Sequence, residues 1–320
     1  MKILLISDLH FDDGVAHEYK WNIFNKIKSI KSKTPFDALF ILGDLTDKKD
    51  RHSGRLVNKI IYHIMDLNIP TWILRGNHDG LDPDYPYFDF LNYYKNIKFI
   101  KEIEFDYDLN YFEKAIAFYP HGTADQYREI PDSISFFHQT FRGVLYENGQ
   151  IADNEELVLP QFGSLCFSGD IHEPQQVGDV IYIGSPYHTR YGDSFNPRVI
   201  LLDTTKNSYV SIPTDMPKKI TLEISSIEEF DKKISKYLND MVRIQIQEND
   251  ISLKVYTHIT ERLKEFPNIQ SIQMIKEEAI KFQPIKATSY SHKELINTYG
   301  KNKEVEDIFI EKGIAIHENS

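Results

Sequence analysis

MKILLISDLH, residues 1–10, joins an apolar run to two metal-ligand side chains, Asp8 and His10, placed two apart. The run Ile3-Leu4-Leu5-Ile6 reads as a first strand, with Asp8 and His10 at its end. Alternate residues of a strand face the same side, so both side chains can reach one ion. Taken alone, the pair is equally well a polar strand end. A signal peptide is the wrong reading, because the apolar run is only four residues. The hydrophobic region of a signal peptide needs roughly 7–15, and no small-residue cleavage site follows.

The same arrangement recurs further along the chain. Gly43-Asp44-Leu45-Thr46-Asp47 ends a second strand-like run. Its glycine lets the backbone turn sharply, and its Asp44 could bridge two cations or simply cap a helix. Gly76-Asn77-His78-Asp79 offers a neutral oxygen ligand in Asn77. His78, next to it, should point elsewhere and act as a proton donor or phosphate contact. The same four residues are also good turn chemistry. His138 closes Ser135-Phe136-Phe137-His138, where a core histidine is the plain alternative. Gly169-Asp170-Ile171-His172 again sets two ligand types two apart after an apolar run.

Residues 1–213 alternate strands and helices. Strand-like runs fall at 2–7, 37–42, 71–74, 115–119, 133–137, 165–168, 180–183 and 199–202. Helical periodicity covers 17–30, with Trp21, Phe24, Ile27 and Ile30 on one face, and 56–67. Helices follow the early strands while later strands follow one another. This predicts an α/β (α+β) chain with a mixed sheet or β-sandwich flanked by helices. A boundary near Pro213 and Pro217 precedes strand, helix, strand, helix and strand at 220–224, 227–238, 241–247, 253–266 and 269–275. Helices near 292–299 and 303–312 end the chain. The expected domains are therefore 1–213, a small α/β domain at 214–283 and a helical tail at 284–320.

Composition bounds the reading. At 41% hydrophobic and 27% charged residues, the chain is an ordinary soluble globular protein. No stretch reaches the roughly 20 apolar residues of a membrane span. One cysteine, Cys166, excludes an intrachain disulfide and fits a reducing cytoplasm. The net charge of −11 argues against a general nucleic-acid binder. Its distribution softens that argument. Residues 214–320 carry 16 basic and 18 acidic residues, so most of the acidity lies in 1–213, where part of it is candidate metal ligand.

The five clusters, in this order and each after a strand, resemble the calcineurin-like metallophosphoesterase family. Its pattern is D-x-H, G-D-x-x-[D/H], G-N-H-[D/E], H and G-H-x-H, and the resemblance covers about residues 1–202. It implies a four-layer metallophosphoesterase β-sandwich flanked by helices. Carried over by position, Asp8, His10 and His172 would hold one divalent metal ion. Asn77, His138 and Asp170 would hold a second, with Asp44 bridging and His78 the catalytic histidine. Two such ions about 3.5–4 Å apart clamp a phosphoester and activate water for in-line attack, while His78 would protonate or stabilise the leaving oxygen. One position departs from the pattern, since Asp170 stands where the first histidine of the last motif is expected. A carboxylate suits hard ions such as Mn²⁺ or Mg²⁺; a weakened second site is the other reading. Arg75 could contact phosphate or be solvated.

The run His172-Glu173-Pro174-Gln175, followed by Gly184-Ser185-Pro186, looks like the SbcD-type nuclease subunits of DNA recombination and repair complexes. Gly184-Ser185-Pro186 should turn tightly beside the metal site. That resemblance makes 214–283 a capping domain that contacts DNA. The tail, through Ile296, Tyr299, Val305, Ile308 and Phe309, would dock on an SMC-like ATPase subunit. A homodimer through catalytic-domain helices is implied, with Leu56, Ile60, Ile61 and Ile64 as a candidate face that core packing would equally explain. The expected activity is a Mn²⁺-dependent exonuclease and endonuclease acting on DNA. Two competitors stand beside it: a phosphodiesterase for a small molecule such as a cyclic nucleotide, and a non-catalytic scaffold.

Overall fold

The apolar runs become strands because each can bury both of its faces. The computed structural model of the protein describes residues 1–275 except 107–111, 113, 128–129, 131, 147, 154–164 and 249–250. The first sheet contains β1 (Lys2–Ile6), β2 (Ala38–Leu42), β3 (Thr71–Leu74), β4 (Ile97–Ile100), β11 (Arg198–Asp203) and β12 (Ser208–Pro213), ordered β12-β11-β1-β2-β3-β4. The second contains β5 (Glu104–Asp106), β6 (Ala115–Tyr119), β7 (Ser133–His138), β8 (Cys166–Gly169), β9 (Gln175–Val177) and β10 (Val180–Tyr182), ordered β5-β6-β7-β8-β10-β9. In each sheet four adjacent strands run parallel (β1 to β4 in the first; β6, β7, β8 and β10 in the second). The remaining strands pair antiparallel at the sheet margins.

Side chains alternate across the first sheet, as strand geometry requires. Ile3, Leu5, Phe40, Leu42 and Ile200 meet Ile116, Phe118, Phe136 and Phe167 of the second sheet in one core. Phe40 sits at its centre, with ring centres 5.1 Å from Trp72, 5.4 Å from Phe118 and 5.1 Å from Phe136. Leu4, Ile6, Leu39, Ile41 and Ile73 face the other way, onto α1 (Asn22–Lys33) and α2 (Gly54–Leu67). The sandwich expected from the sequence is thus present, with helices on the outside of the first sheet. The outer face of the second sheet carries its own apolar cluster, including Tyr119, Phe137, Phe141 and Tyr182.

Four strands escaped the sequence reading: β4, β5, β9 and β12. β5 and β9 are three residues long, and β12 is an edge strand with no buried position, so none of these three carries an unbroken apolar run. The helix expected from residue 17 begins as a 3-10 helix, Val15–Trp21, before α1. Ser53 caps α2 by accepting the Leu56 N–H at 3.0 Å. On α2, Leu56, Ile60 and Ile64 are buried in the core and Ile61 packs against it. The proposed dimer face is therefore core packing, because that side of the helix lies on the sheet. Tyr62 and Met65 are the exposed apolar residues of α2.

A third sheet contains β13 (Lys219–Ile224), β14 (Met241–Gln247) and β15 (Ile269–Ile275), all parallel. Its crossovers are α3 (Ile227–Ile234) and α4 (Ser252–Glu261), and its own core includes Leu222, Phe230, Ile244, Val255 and Ile259. All of this belongs to one compact unit, Met1–Ile275. The tail segments near 292–299 and 303–312, with Ile296, Tyr299, Val305, Ile308 and Phe309, lie outside the described residues. Among the described residues, no helix is long and apolar enough to cross a membrane.

Candidate metal centre

Parallel sheets gather loops at the carboxyl ends of their strands, where open α/β sheets place ligands. Asp8 and His10 follow β1, Asp44 follows β2, Asn77 and His78 follow β3, His138 ends β7, and Asp170 and His172 follow β8. The loops are locked together by backbone hydrogen bonds. Asp8 N donates to Gly43 O at 3.2 Å, and His10 N to Asp44 O at 2.9 Å.

Asp8 and His10 do not converge by strand alternation, because both lie beyond the end of β1. Each holds a left-handed backbone, with φ of 55° and 43°. Asp44 (55°) and Asp170 (78°) do the same. Such conformations carry strain in residues other than glycine and tend to cluster at functional sites. Gly43 is required for close approach. Its φ is 89°, and a Cβ there would lie 2.1 Å from His138 Nδ1.

All seven candidate ligands and His78 come together. His10 Nε2 lies 3.0 Å from His172 Nε2 and 3.4 Å from Asp44 Oδ2. Ligand atoms of Asp8, His10 and His172 lie within 4.8 Å of one another. On the other side, His138 Nε2 lies 3.3 Å from Asp44 Oδ1, 3.7 Å from Asp170 Oδ1 and 3.2 Å from Asn77 Oδ1. His138 Nδ1 donates to Leu42 O at 2.7 Å, which turns Nε2 to the site. This is how metal-binding histidines are commonly oriented. His172 Nδ1 is 3.3 Å from Thr189 Oγ1.

The donor set fits divalent cations. Asp8 Oδ2 and His10 Nδ1 are buried without a hydrogen-bond partner, although buried polar atoms normally have one. The Asn77 carboxamide lies against Asp44, with one terminal atom 2.9 and 3.0 Å from the two carboxylate oxygens. As NH2 that atom donates to Asp44, and the amide oxygen is the group that would serve a cation. Carboxylate, carboxamide and imidazole together suit Mn²⁺, Mg²⁺ or Zn²⁺.

Electrostatics agree with ligand duty. Burial pushes His10 down to about 3, so its imidazole is neutral and its lone pair available. Burial raises Asp8 to about 6, partly opposed by His138 and His172. Burial would also raise Asp44, but His138 and His10 outweigh it and hold the carboxyl well below the usual range. Burial would lower His138, yet Asp44, Asp170 and Asp8 raise it well above an ordinary histidine. This is a cluster poised to exchange a proton for a cation.

His78 does not turn away from this cluster. Its ring meets His10 edge-on at 4.9 Å, and its ligand atom is grouped with those of His10 and Asp44. Nδ1 donates to Asp47 O at 2.6 Å, which leaves Nε2 for a reacting group. Arg75 is not solvated: it is buried, and Nη2 donates to His121 O at 2.6 Å.

Several supporting residues went unread in the sequence. The buried Asp79 carboxylate accepts N–H groups from Asp44, Leu45 and Gly76 at 2.7–2.9 Å, tying the second and third loops together. Its place as the fourth residue of Gly-Asn-His-Asp was the available signal. Lys20 is buried and donates from Nζ to His10 O at 2.6 Å and Asp12 Oδ2 at 2.9 Å. Gly184-Ser185-Pro186 does turn against the site. Gly184 has φ 82°, Ser185 N donates to His172 O at 2.9 Å, and Ser185 Oγ donates to Asp8 O at 3.2 Å.

The cluster opens into a cavity of about 570 Å³, lined by His10, His17, Asn77, His78, Thr189 and Arg190 among others. Beside it, Lys219 Nζ donates to Thr189 O at 2.7 Å, and the Arg243 guanidinium lies 4.1 Å from the centre of the Tyr191 ring. Burial pulls Lys219 down to about 8.

The model of the calcineurin-like phosphoesterase family matches residues 1–174. Solved structures that resemble the chain include an archaeal phosphodiesterase, at 18% identity and TM-score 0.38 over 67% of this chain and 99% of that one. Another is Yfce, a phosphoesterase from E. coli, at 13% identity and TM-score 0.35 over 67% and 100%. A third is a hypothetical protein from Thermus thermophilus, at 10% identity and TM-score 0.39 over 67% and 97%. No curated protein matches the chain. With the family model covering more than half of its length, the chain belongs to the calcineurin-like phosphoesterases, metal-dependent hydrolases of phosphoester bonds.

Proposed function

We propose that the protein is a DNA nuclease, acting as exonuclease and endonuclease with two divalent ions. Mn²⁺ is the preferred ion and Mg²⁺ the alternative. Asp8, His10 and His172 would hold one ion and Asn77, His138 and Asp170 the other, with Asp44 shared. When bound, the ions supply the clamp on the phosphodiester and the activated water. Asp79 and Lys20 hold the loops that carry these ligands. His78, fixed through Nδ1, offers Nε2 to hold a proton at the leaving oxygen.

The observation that carries the DNA reading is the surface beside the cavity. The half-buried Arg243 of the third sheet packs its guanidinium on the Tyr191 ring there, and Nζ of the buried Lys219 lies 5.3 Å from the Tyr19 ring centre and 5.7 Å from that of Tyr191. Cations tracking a backbone, with aromatic rings for bases to stack on, are the usual means of holding single-stranded nucleic acid. Arg190 lines the cavity itself. The motif resemblance adds an SMC-like ATPase partner, as in an SbcCD-like recombination and repair complex, and a homodimer. If deletion of 288–320 leaves ATPase binding unchanged, the tail is not the docking segment.

A small-molecule phosphodiesterase is the second reading, favoured by the acidity of residues 1–213 and by a cavity of about 570 Å³, the size of a nucleotide-class pocket. One assay separates the two. Purified protein is given DNA ends, cyclic nucleotides and a bis-aryl phosphate with Mn²⁺, Mg²⁺ or Zn²⁺, with and without the ATPase. Degradation of DNA ends with Mn²⁺ supports the nuclease. Cleavage of the small esters but of no DNA under any metal decides for the small-molecule enzyme.

A further inference from the structure

Asp170 takes the place where the resemblance expects a histidine, and the structure gives it a partner. Thr140 Oγ1 donates to Asp170 Oδ2 at 2.5 Å, while Oδ1 lies toward the site, 3.7 Å from His138 Nε2. The Asp170 backbone is fixed as well, since its N–H donates to Asp8 Oδ1 at 3.2 Å. Thr140 is itself held in place. It lies two residues beyond His138, and Gln139 between them exchanges hydrogen bonds with Ser168 Oγ, donating at 3.1 Å and accepting at 3.0 Å. A free carboxylate can chelate, bridge or swing, whereas an imidazole presents one nitrogen in one direction.

We propose that Thr140 is a positioning residue that makes Asp170 a one-oxygen ligand, so that the pair replaces an imidazole and sets the metal preference of the second position. That position then offers oxygens from Asp44, Asn77 and Asp170 against a single nitrogen from His138. The first position, with His10 and His172, keeps two nitrogens. Oxygen-rich sets favour Mn²⁺ and Mg²⁺ over Zn²⁺, so the selectivity resides in the second position alone. Hydroxyl partners of this kind fix ligand direction, and their loss typically lowers metal affinity by about 10–100-fold.

This rests on the two-ion reading above, and calorimetric titration of the metal-stripped full chain tests both. The wild-type protein takes up two Mn²⁺. In Thr140→Val one of the two affinities falls by about 10–100-fold while the other stays, which also serves as an internal control for folding. Thr140→Ser restores the lost affinity. Asp170→His moves the same position toward Zn²⁺, and adding Thr140→Val to it changes nothing further. Two ions bound with both affinities unmoved by Thr140→Val, or an unchanged Mn²⁺/Zn²⁺ preference in Asp170→His, overturns the proposal. A wild-type chain that binds a single ion overturns the two-ion reading beneath it.

Discussion

The rim of the two six-stranded sheets and the third sheet obey opposite rules. Four candidate ligands on the rim, Asp8, His10, Asp44 and Asp170, hold left-handed backbones; no described non-glycine residue of the third sheet does. The rim buries Asp8 Oδ2 and His10 Nδ1 without a hydrogen bond. The third sheet instead follows ordinary folding logic: parallel strands, a Ser226 cap that accepts the Glu229 N–H at 3.2 Å, and a closed apolar core. Its one buried unpaired nitrogen among the described residues, Arg243 Nε, belongs to the side chain that faces Tyr191 beside the cavity. The candidate ligands therefore combine left-handed backbone with buried atoms that make no hydrogen bond, a combination the third sheet does not show among its described residues.

If that division is correct, substitutions in the two regions should fail differently. The largest effect is expected at His78. His78→Ala should lower the rate of phosphodiester cleavage by about 10²–10⁴-fold with metal uptake unchanged, as measured by kinetics and titration. Loss of metal along with the rate would place His78 among the ligands. Next is Arg243→Ala, expected to weaken DNA binding about tenfold, since stacking and cation–π contacts are worth about 1–3 kcal/mol per base. Hydrolysis of a bis-aryl phosphate should not change; a parallel loss there would erase the contrast between the regions.

A smaller effect concerns pH. Burial lowers Lys219 from 10.5 to about 8 in the folded chain. Between those values the unfolded chain binds more protons, so this group makes stability rise with pH across that window and adds no slope below it. Its buried charge beside the cavity is also lost above about pH 8. DNA binding should therefore weaken between about pH 7 and 9 as one nearby positive charge disappears, and Lys219→Ala should remove that change. The smallest effect is Ser226→Ala, expected to cost about 1 kcal/mol of stability through the lost cap. Denaturant unfolding measures it, and activity at ordinary temperature should stay level.

Much of the centre was legible in the sequence because ligand chemistry is restrictive. Few residue types bind cations, and five clusters of them after apolar runs already imply loops gathered at strand ends. The supports were not legible. Asp79 reads as a turn residue, Lys20 as a surface lysine and Thr140 as loop filler, since each acts through a partner distant in sequence. Arg75 eludes a sequence reading for the same reason: its bond to His121 O spans 46 residues. The α2 face could not be assigned because buried and docking residues share one periodicity.

The family and the residues available for chemistry follow from residue type and order alone. Their geometry does not, because it arises only in the folded chain. Asp8 and His10 converge through left-handed turns that no periodicity encodes. Asp170 points one oxygen inward because Thr140 holds the other. Local order sets what a residue can do, whereas its direction is set by backbone angles and by hydrogen bonds that exist only once remote strands have paired.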